Sequence, residues 1–320
     1  MPRKLVTVNP ALEDHHKEQI RAVAEKNGFE ALFFQKTALA LPHLADAEVV
    51  FGQSTALAQN SPRLRWLCTP SAGVDHFLAA GLFASPDAVL TNSSGAYGVT
   101  IAEHIVMLAL EILRRQMDYS DIVRRREWVR DLPVRSIKGS RVTLLGTGDI
   151  GQETAIRLRA FGPGWLSGVN RGGSNPQGLF DRVIRQSQLD TVLPETDILI
   201  ISLPGTQETR HMLDARRLAL LPDHALVINV GRGSVIDQKA LEDELRAERL
   251  YAALDVFEQE PMPIDDPLWD CPNLLITPHV AGNMTLPYTK DRIVALFLED
   301  FENYCEGRPL IRRVDLKKGY

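Results

Sequence analysis

Cysteine is scarce in this 320-residue chain: Cys68, Cys271 and Cys305 lie far apart, with no C-x-x-C pair among them. That excludes a disulfide framework and a cysteine-based zinc site as organising features, and no metal site is expected. Long apolar runs are also missing; none approaches the roughly 18 residues of a membrane span. The net charge of −5 gives no broad positive field to attract nucleic acid or an anionic membrane, so neither is expected as a partner. The start, MPRKLVTVNP, runs straight into a strand-like pattern without an apolar leader, which makes a cytoplasmic location the expectation. Long-period repeats and low-complexity tracts are absent too. What remains is a chain with 44% hydrophobic residues, long enough for about two domains with cores of their own.

Short apolar runs alternate with helical patterns through the first hundred residues: KLVTV, a helix over about Glu13 to Asn27, then EALFF, AEVVFG, LRWLCTP and AVLTN. Strands separated by helices pair in parallel through right-handed crossovers. From Val99 to about Gln116, Ile101, Ile105, Leu108 and Ile112 fall on one stripe, predicting a deeply buried helix that bridges two domains. The arginine-rich stretch that follows, DYSDIVRRREWVRDLPVRSIKGS, is expected to be a solvated loop, with a subunit-contact arm as the alternative. A second series then runs through RVTLLGTG, WLSGVN, DILIISLP, ALVINVG, YAALDVF and LLITPHV, again with helical segments between, which is a doubly wound plan. The helical YTKDRIVALFLEDFENYCEG is expected to return the chain to the first domain.

Gly146, Gly148 and Gly151 form G-x-G-x-x-G after a strand-like run and before a helix, the context that makes this pattern a dinucleotide site. About 20 residues on, an acid should hold the free ribose hydroxyls of NAD. There is none; the chain reads Asn170-Arg171. Asn170 removes a repulsion, and Arg171 offers a forked donor where a 2′-phosphate would sit. NADP(H) is therefore the expected cofactor, with NAD(H) as the alternative.

Further segments carry chemistry: SAGVD (Ser71 to Asp75), VINVGRGSVID (Val227 to Asp237), ALDVFEQEP (Ala253 to Pro261) and TPHVAG (Thr277 to Gly282). Arg232 sits between two glycines at a strand end, where open α/β sheets bind ligands, and its guanidinium can fork onto a carboxylate. Small residues at Ala72 and Gly73 can present successive backbone N–H groups to an anion. Taken with the glycine motif, these segments, in order and at fitting intervals, resemble the D-isomer-specific 2-hydroxyacid dehydrogenase family. The end of the chain and the EPMPIDDPLWDCPNLLITPHVAG segment look most like its glyoxylate/hydroxypyruvate reductase branch.

The resemblance implies an α/β protein of two doubly wound parallel-sheet domains. A flavodoxin-like substrate domain would cover residues 1–98 and 285–320, and a Rossmann-type dinucleotide domain residues 99–284, with the active site in the cleft between. It assigns Arg232 to the substrate carboxylate, His279 to proton transfer at the carbonyl oxygen, and Glu260 to orienting His279 and stabilising its charge. Ala72 and Gly73 would bind substrate through the backbone. Tyr97, just before the bridging helix, is read as packing, with a contact to substrate as the alternative. Cofactor contacts are expected from Gly146, Gly148, Asp149, Ile150, Gly151, Asn170, Arg171, Leu203, Pro204, Val230, Gly231, Asp255 and Gly282, with Asp255 on the nicotinamide side. The implied reaction reduces a small 2-oxoacid to the D-2-hydroxyacid, in a homodimer formed through the bridging helix and the arginine-rich arm. A dinucleotide-sensing, corepressor-like interaction protein on the same fold is the alternative, and oxidation of phosphite or formate is a further one within the enzyme class.

Overall fold

The computed structural model describes residues 3–319. The chain divides into two compact units, one made of the segment up to Tyr97 and the segment from Asn283 onward, the other of Gly98–Gly282.

The first unit opens with β1 (Arg3–Val8), α1 (Asp14–Lys26), β2 (Phe29–Phe34) and a single-turn α2 (Thr37–Ala40). It continues with β3 (Ala47–Gly52), α3 (Thr55–Gln59), β4 (Trp66–Cys68) and β5 (Val89–Thr91). All pairings are parallel, in the order β2-β1-β3-β4-β5, the flavodoxin-like arrangement. Each apolar run becomes a strand because both faces of a parallel sheet are covered, so alternation with polar residues is not needed. One face buries Val6, Val50, Leu67 and Leu90 with Leu57 and Phe77.

The second unit starts with α4 (Gly98–Leu113) and α5 (Gln116–Arg124), followed by β6 (Arg141–Leu145), α6 (Asp149–Arg159), β7 (Trp165–Asn170) and β8 (Arg182–Arg185). Then come β9 (Ile198–Ile201), the short α7 (Ala215–Leu218), β10 (Leu226–Asn229), α8 (Gln238–Arg246), β11 (Tyr251–Leu254) and β12 (Leu274–Ile276). The seven strands are parallel in the order β12-β11-β10-β9-β6-β7-β8. Read from β8 to β11, this is the Rossmann order 3-2-1-4-5-6 with β12 added at the edge. Ile101, Ile105, Leu108 and Ile112 of α4 are all buried, as the apolar stripe predicts, and α4 packs against α6, β10 and β11.

The last helix, α9 (Pro287–Cys305), belongs to the first unit, and aromatic packing shows why. Phe297 stacks on Phe51 with ring centroids 4.3 Å apart and lies 5.4 Å from Trp66, while Phe301 lies 5.1 Å from Phe29. Each such fully buried large side chain contributes roughly 1.5–3 kcal/mol. Among the described residues, no helix is long and apolar enough to cross a membrane.

The arginine-rich stretch is not all loop, contrary to expectation. Arg115, at φ 54°, ends α4, and a new helix, α5, starts at once, supported by Arg115–Asp118 and Asp121–Arg124 ion pairs one turn apart. The remainder is irregular and leaves Trp128 87% exposed.

Candidate active site

In a parallel sheet every strand delivers its carboxyl end to the same edge. Asn229 of β10 pairs with Leu254 of β11, and Leu254 with Ile276 of β12. Three residues past Asn229 comes Arg232; Asp255 and Glu260 follow β11; His279 lies three residues past Ile276. These four expected groups therefore leave neighbouring strands at one edge. The glycine loop, after β6, and Leu203-Pro204, after β9, leave the same edge, and β6 and β9 flank the point where strand order reverses, the usual ligand position in open α/β sheets.

The three motif glycines are required for three different reasons. Gly146 has φ 103°, and a Cβ there would lie 2.7 Å from the Ser202 hydroxyl. A Cβ on Gly151 would lie 2.2 Å from the Gly146 carbonyl oxygen, so α6 can approach β6 only without one. At Gly148, which precedes α6 in extended conformation, a Cβ would meet nothing within 4 Å. That open space in front of a helix N-terminus fits a dinucleotide pyrophosphate. The adjacent Asp149 carboxylate comes within 2.6 Å of where a Cβ on Gly98 would stand, so the loop lies against the start of α4; Ile150 is in the first turn of α6, and Val230 directly follows β10. Gly151→Ala should destabilise the protein by about 1–3 kcal/mol through overpacking, seen as a fall in Tm of several degrees. Gly148→Ala should leave Tm unchanged and weaken dinucleotide binding at least about tenfold; equal effects on Tm would contradict this division of labour.

Arg232 is held by close backbone approaches on both sides. A Cβ on Gly231 would sit 2.5 Å from the Leu203 carbonyl oxygen, and one on Gly233 only 1.9 Å from the Phe257 carbonyl carbon. The Asn229 side chain closes the turn, accepting from Gly231 N–H at 3.0 Å and donating to the Arg232 carbonyl at 3.0 Å. The loops after β9, β10 and β11 are thereby locked together, and the Arg232 stem packs over Gly205.

Glu260 and His279 form an ion-pair geometry. Glu260 Oε1 accepts from Phe257 N–H at 2.9 Å, which aims Oε2 at His279 Nδ1, 2.6 Å away. The His279 side chain is 51% exposed. With Nδ1 engaged, Nε2 is the nitrogen available to a ligand, and the ring is arranged to exchange a proton there.

Asp255 is 1% exposed, and its carboxylate is turned to its own loop. It accepts from the Thr277 hydroxyl at 2.6 Å, Val280 N–H at 2.9 Å and Ala281 N–H at 3.0 Å, while its backbone carbonyl accepts His279 N–H at 2.9 Å. Whatever it does for a cofactor, it first fixes the segment from Thr277 to Ala281, next to Gly282. Thr277, the first residue of the TPHVAG segment, and His104, whose Nε2 lies 3.1 Å from the Thr277 hydroxyl, belong to this cluster, and His104 has no signature in the sequence.

In the first unit, the loop after β4 has occupied carbonyls and, at Ala72 and Gly73, two amides that are not. Ala72 O accepts from the Asn92 side chain and Gly73 O from the Ser71 hydroxyl, each at 2.8 Å, whereas the N–H groups of Ala72 and Gly73 have no acceptor among the described residues. Successive unpaired N–H groups suit an anion. Tyr97 is 5% exposed and donates to the Pro70 carbonyl at 2.6 Å, and burial raises its phenol above the ordinary range. The Tyr97 hydroxyl thus braces this loop.

At the missing acid, Asn170 is a brace. Its amide donates to the Thr147 hydroxyl at 2.7 Å and the Ser174 carbonyl at 2.9 Å, and its oxygen accepts Gly173 N–H at 2.6 Å, tying the glycine loop to the loop after β7. Arg171 is half-exposed and reaches Glu208 at 3.0 Å. Arg185 is a second cation at this loop, its Nε 3.6 Å from the Cβ position of Gly173.

His15, His16 and Asp291 group closely enough to suggest a cation site. His16 Nδ1, however, accepts Glu13 N–H at 3.1 Å in a helix cap, which leaves the ring proton on Nε2, facing Asp291 at 2.8 Å. The lone pair a cation needs there is absent.

The family model described as "D-isomer specific 2-hydroxyacid dehydrogenase, NAD binding domain" matches residues 106–281. The chain is 34% identical over 255 residues, 77% of its length, to 79% of a glyoxylate/hydroxypyruvate reductase B from Pectobacterium atrosepticum. A solved D-isomer specific 2-hydroxyacid dehydrogenase family protein from Aeromonas salmonicida superposes with TM-score 0.88 and 31% identity, covering 99% of this chain and all of that one. An NADPH-dependent glyoxylate/hydroxypyruvate reductase from Sinorhizobium meliloti, solved with NADP and sulfate, gives TM-score 0.83 and 27% identity over 99% of this chain and all of that one. The two parallel sheets, the glycine cradle and these matches together place the chain in the D-isomer specific 2-hydroxyacid dehydrogenase family, as an oxidoreductase.

Proposed function

We propose that the protein reduces glyoxylate, hydroxypyruvate or a closely similar small 2-oxoacid to the D-2-hydroxyacid, with NADPH as the preferred cofactor. The observation that carries this reading is the Glu260–His279 pair, 2.6 Å apart, at the same sheet edge as Arg232 and the glycine cradle. The reductases named above support the substrate class.

Gly146, Gly148 and Gly151 would hold the pyrophosphate, with Asp149, Ile150, Leu203, Pro204, Val230, Gly231, Asp255 and Gly282 around the rest of the dinucleotide. When bound, the reduced nicotinamide supplies a hydride to the C2 carbonyl carbon. Arg232 forks onto the substrate carboxylate. In the first unit, the N–H groups of Ala72 and Gly73 are suited to donate to carboxylate oxygen. His279 donates the Nε2 proton to the carbonyl oxygen as negative charge develops there, and Glu260 stabilises the imidazolium and holds the ring through Nδ1. In the oxidative direction, neutral His279 accepts the hydroxyl proton.

Arg171 is proposed to read the ribose 2′-phosphate, with Arg185 beside it. The Glu208 contact is no obstacle, since an ion pair between two exposed side chains is worth at most about 1 kcal/mol and yields to a phosphate dianion. Arg171→Ala should lower kcat/KM with NADPH at least about tenfold while changing that with NADH less than about twofold. A parallel loss with both cofactors would remove Arg171 from phosphate recognition, and an equal or higher kcat/KM with NADH in the unmutated enzyme would overturn the preference. A homodimer is proposed through α4, α5 and the irregular arm, where Val123, Trp128 and Val129 stand exposed.

A further inference from the structure

We propose that His104 is a positioning residue for His279, acting through Thr277 and Asp255. It rests on the assignment of His279 as proton donor. The connection is a chain of hydrogen bonds whose direction can be worked out. Thr277 has one hydroxyl proton, and at 2.6 Å from the Asp255 carboxylate that proton is committed. Toward His104 Nε2, 3.1 Å away, the Thr277 oxygen can therefore only accept, so Nε2 carries the ring proton. His104 donates to Thr277, and Thr277 donates to Asp255.

Asp255 passes this order to the loop that carries His279. Its two carboxylate oxygens accept the N–H groups of Val280 and Ala281, the two residues after His279, and its carbonyl accepts the N–H of His279 itself. His279 has φ 53°, a left-handed conformation uncommon for a residue with a side chain, and bonds from its neighbours help hold it there. The Asp255 bonds are among them.

His104 suits the head of such a chain. Its side chain is 13% exposed on α4, which packs against β11. Burial holds its imidazole below the ordinary range, against the opposing charges of Asp255 and Glu111, so near neutral pH it is a neutral single donor. Without that donor, the Thr277 hydroxyl is free to turn from the carboxylate, and a buried acceptor loses one of its partners. A buried network with one member missing loses its specific geometry.

The test compares His104→Leu, similar in bulk without a donor, with His104→Gln, whose amide N–H can replace Nε2–H. His104→Leu is expected to lower kcat for 2-oxoacid reduction about tenfold with KM values changed less than about twofold, and His104→Gln to restore most of the loss. In the free protein, with no cofactor or substrate, the His279 ring resonances in histidine-labelled NMR spectra should shift and broaden in His104→Leu and remain near their original positions in His104→Gln. Equal behaviour of the leucine and glutamine variants, or unchanged His279 resonances in His104→Leu, would overturn the proposal and leave the assigned reaction standing. Failure of the reaction itself would show differently: the unmutated protein would reduce no 2-oxoacid while the NMR effect of His104→Leu, still supporting the coupling, persisted.

Discussion

Replacing His279 by glutamine should lower kcat for 2-oxoacid reduction by about 10²–10⁴-fold, the range that a positioned general acid contributes. Glutamine can still hydrogen-bond a carbonyl oxygen through its amide, but it cannot give up a proton as the oxyanion forms. The loss should therefore fall on kcat, with NADPH affinity, measured by direct titration, changed less than about twofold. Glu260 Oε2 lies 2.6 Å from Nδ1 with Oε1 fixed by Phe257 N–H, so the ring's orientation is set by the protein before substrate arrives. A His279→Gln enzyme within about threefold of the original kcat would mean that the proton comes from elsewhere, such as solvent.

Arg232→Gln is expected to lower kcat/KM by about 10²–10³-fold, corresponding to the loss of a forked pair of charge-assisted hydrogen bonds at roughly 1.5–3 kcal/mol each, partly replaced by the amide. The fork matters as well as the charge. Arg232→Lys retains the positive charge but presents a point donor, so it should recover only part of the loss. Because Gly231, Gly233 and Gly205 hold the Arg232 backbone and stem against three neighbouring loops, the substitutions should alter recognition without moving those loops, and Tm should stay within a few degrees. Equal kcat/KM for Arg232→Gln and the original enzyme would remove this residue from carboxylate binding.

The strands of both sheets were legible because each is a short apolar run bounded by turn formers, and the doubly wound plan follows from their alternation with helices. Edge strand β8 was not: RVIR is four residues with arginine at either end, a protected sheet edge that does not stand out from a loop. Helix α5 was hidden by its arginines, whose one-turn pairing with aspartates supports a helix as readily as a solvated loop. At the site, Arg232, Glu260 and His279 stood out through the segments that contain them. The supports behind them did not. His104 and Thr277 meet across 173 residues of chain, and only the packing of α4 beside β10 and β11 brings them together. For Tyr97 the sequence offered only a position before a helix; the acceptor that its hydroxyl finds, Pro70, lies 27 residues back. Asn170 illustrates the same limit at the cofactor end. The absence of an acid was plain, whereas the three bonds by which Asn170 joins the loops after β6 and β7 depend on strands that are adjacent only in the folded sheet.

The most direct test of the central claim is a steady-state assay of NADPH oxidation by the unmutated protein with glyoxylate, hydroxypyruvate and larger 2-oxoacids, with the product's configuration determined on a chiral column where it has one. The proposed function predicts turnover with the small 2-oxoacids, a D-configured product from hydroxypyruvate, and higher kcat/KM with NADPH than with NADH. Tight NADPH binding with no reduction of any 2-oxoacid would contradict it.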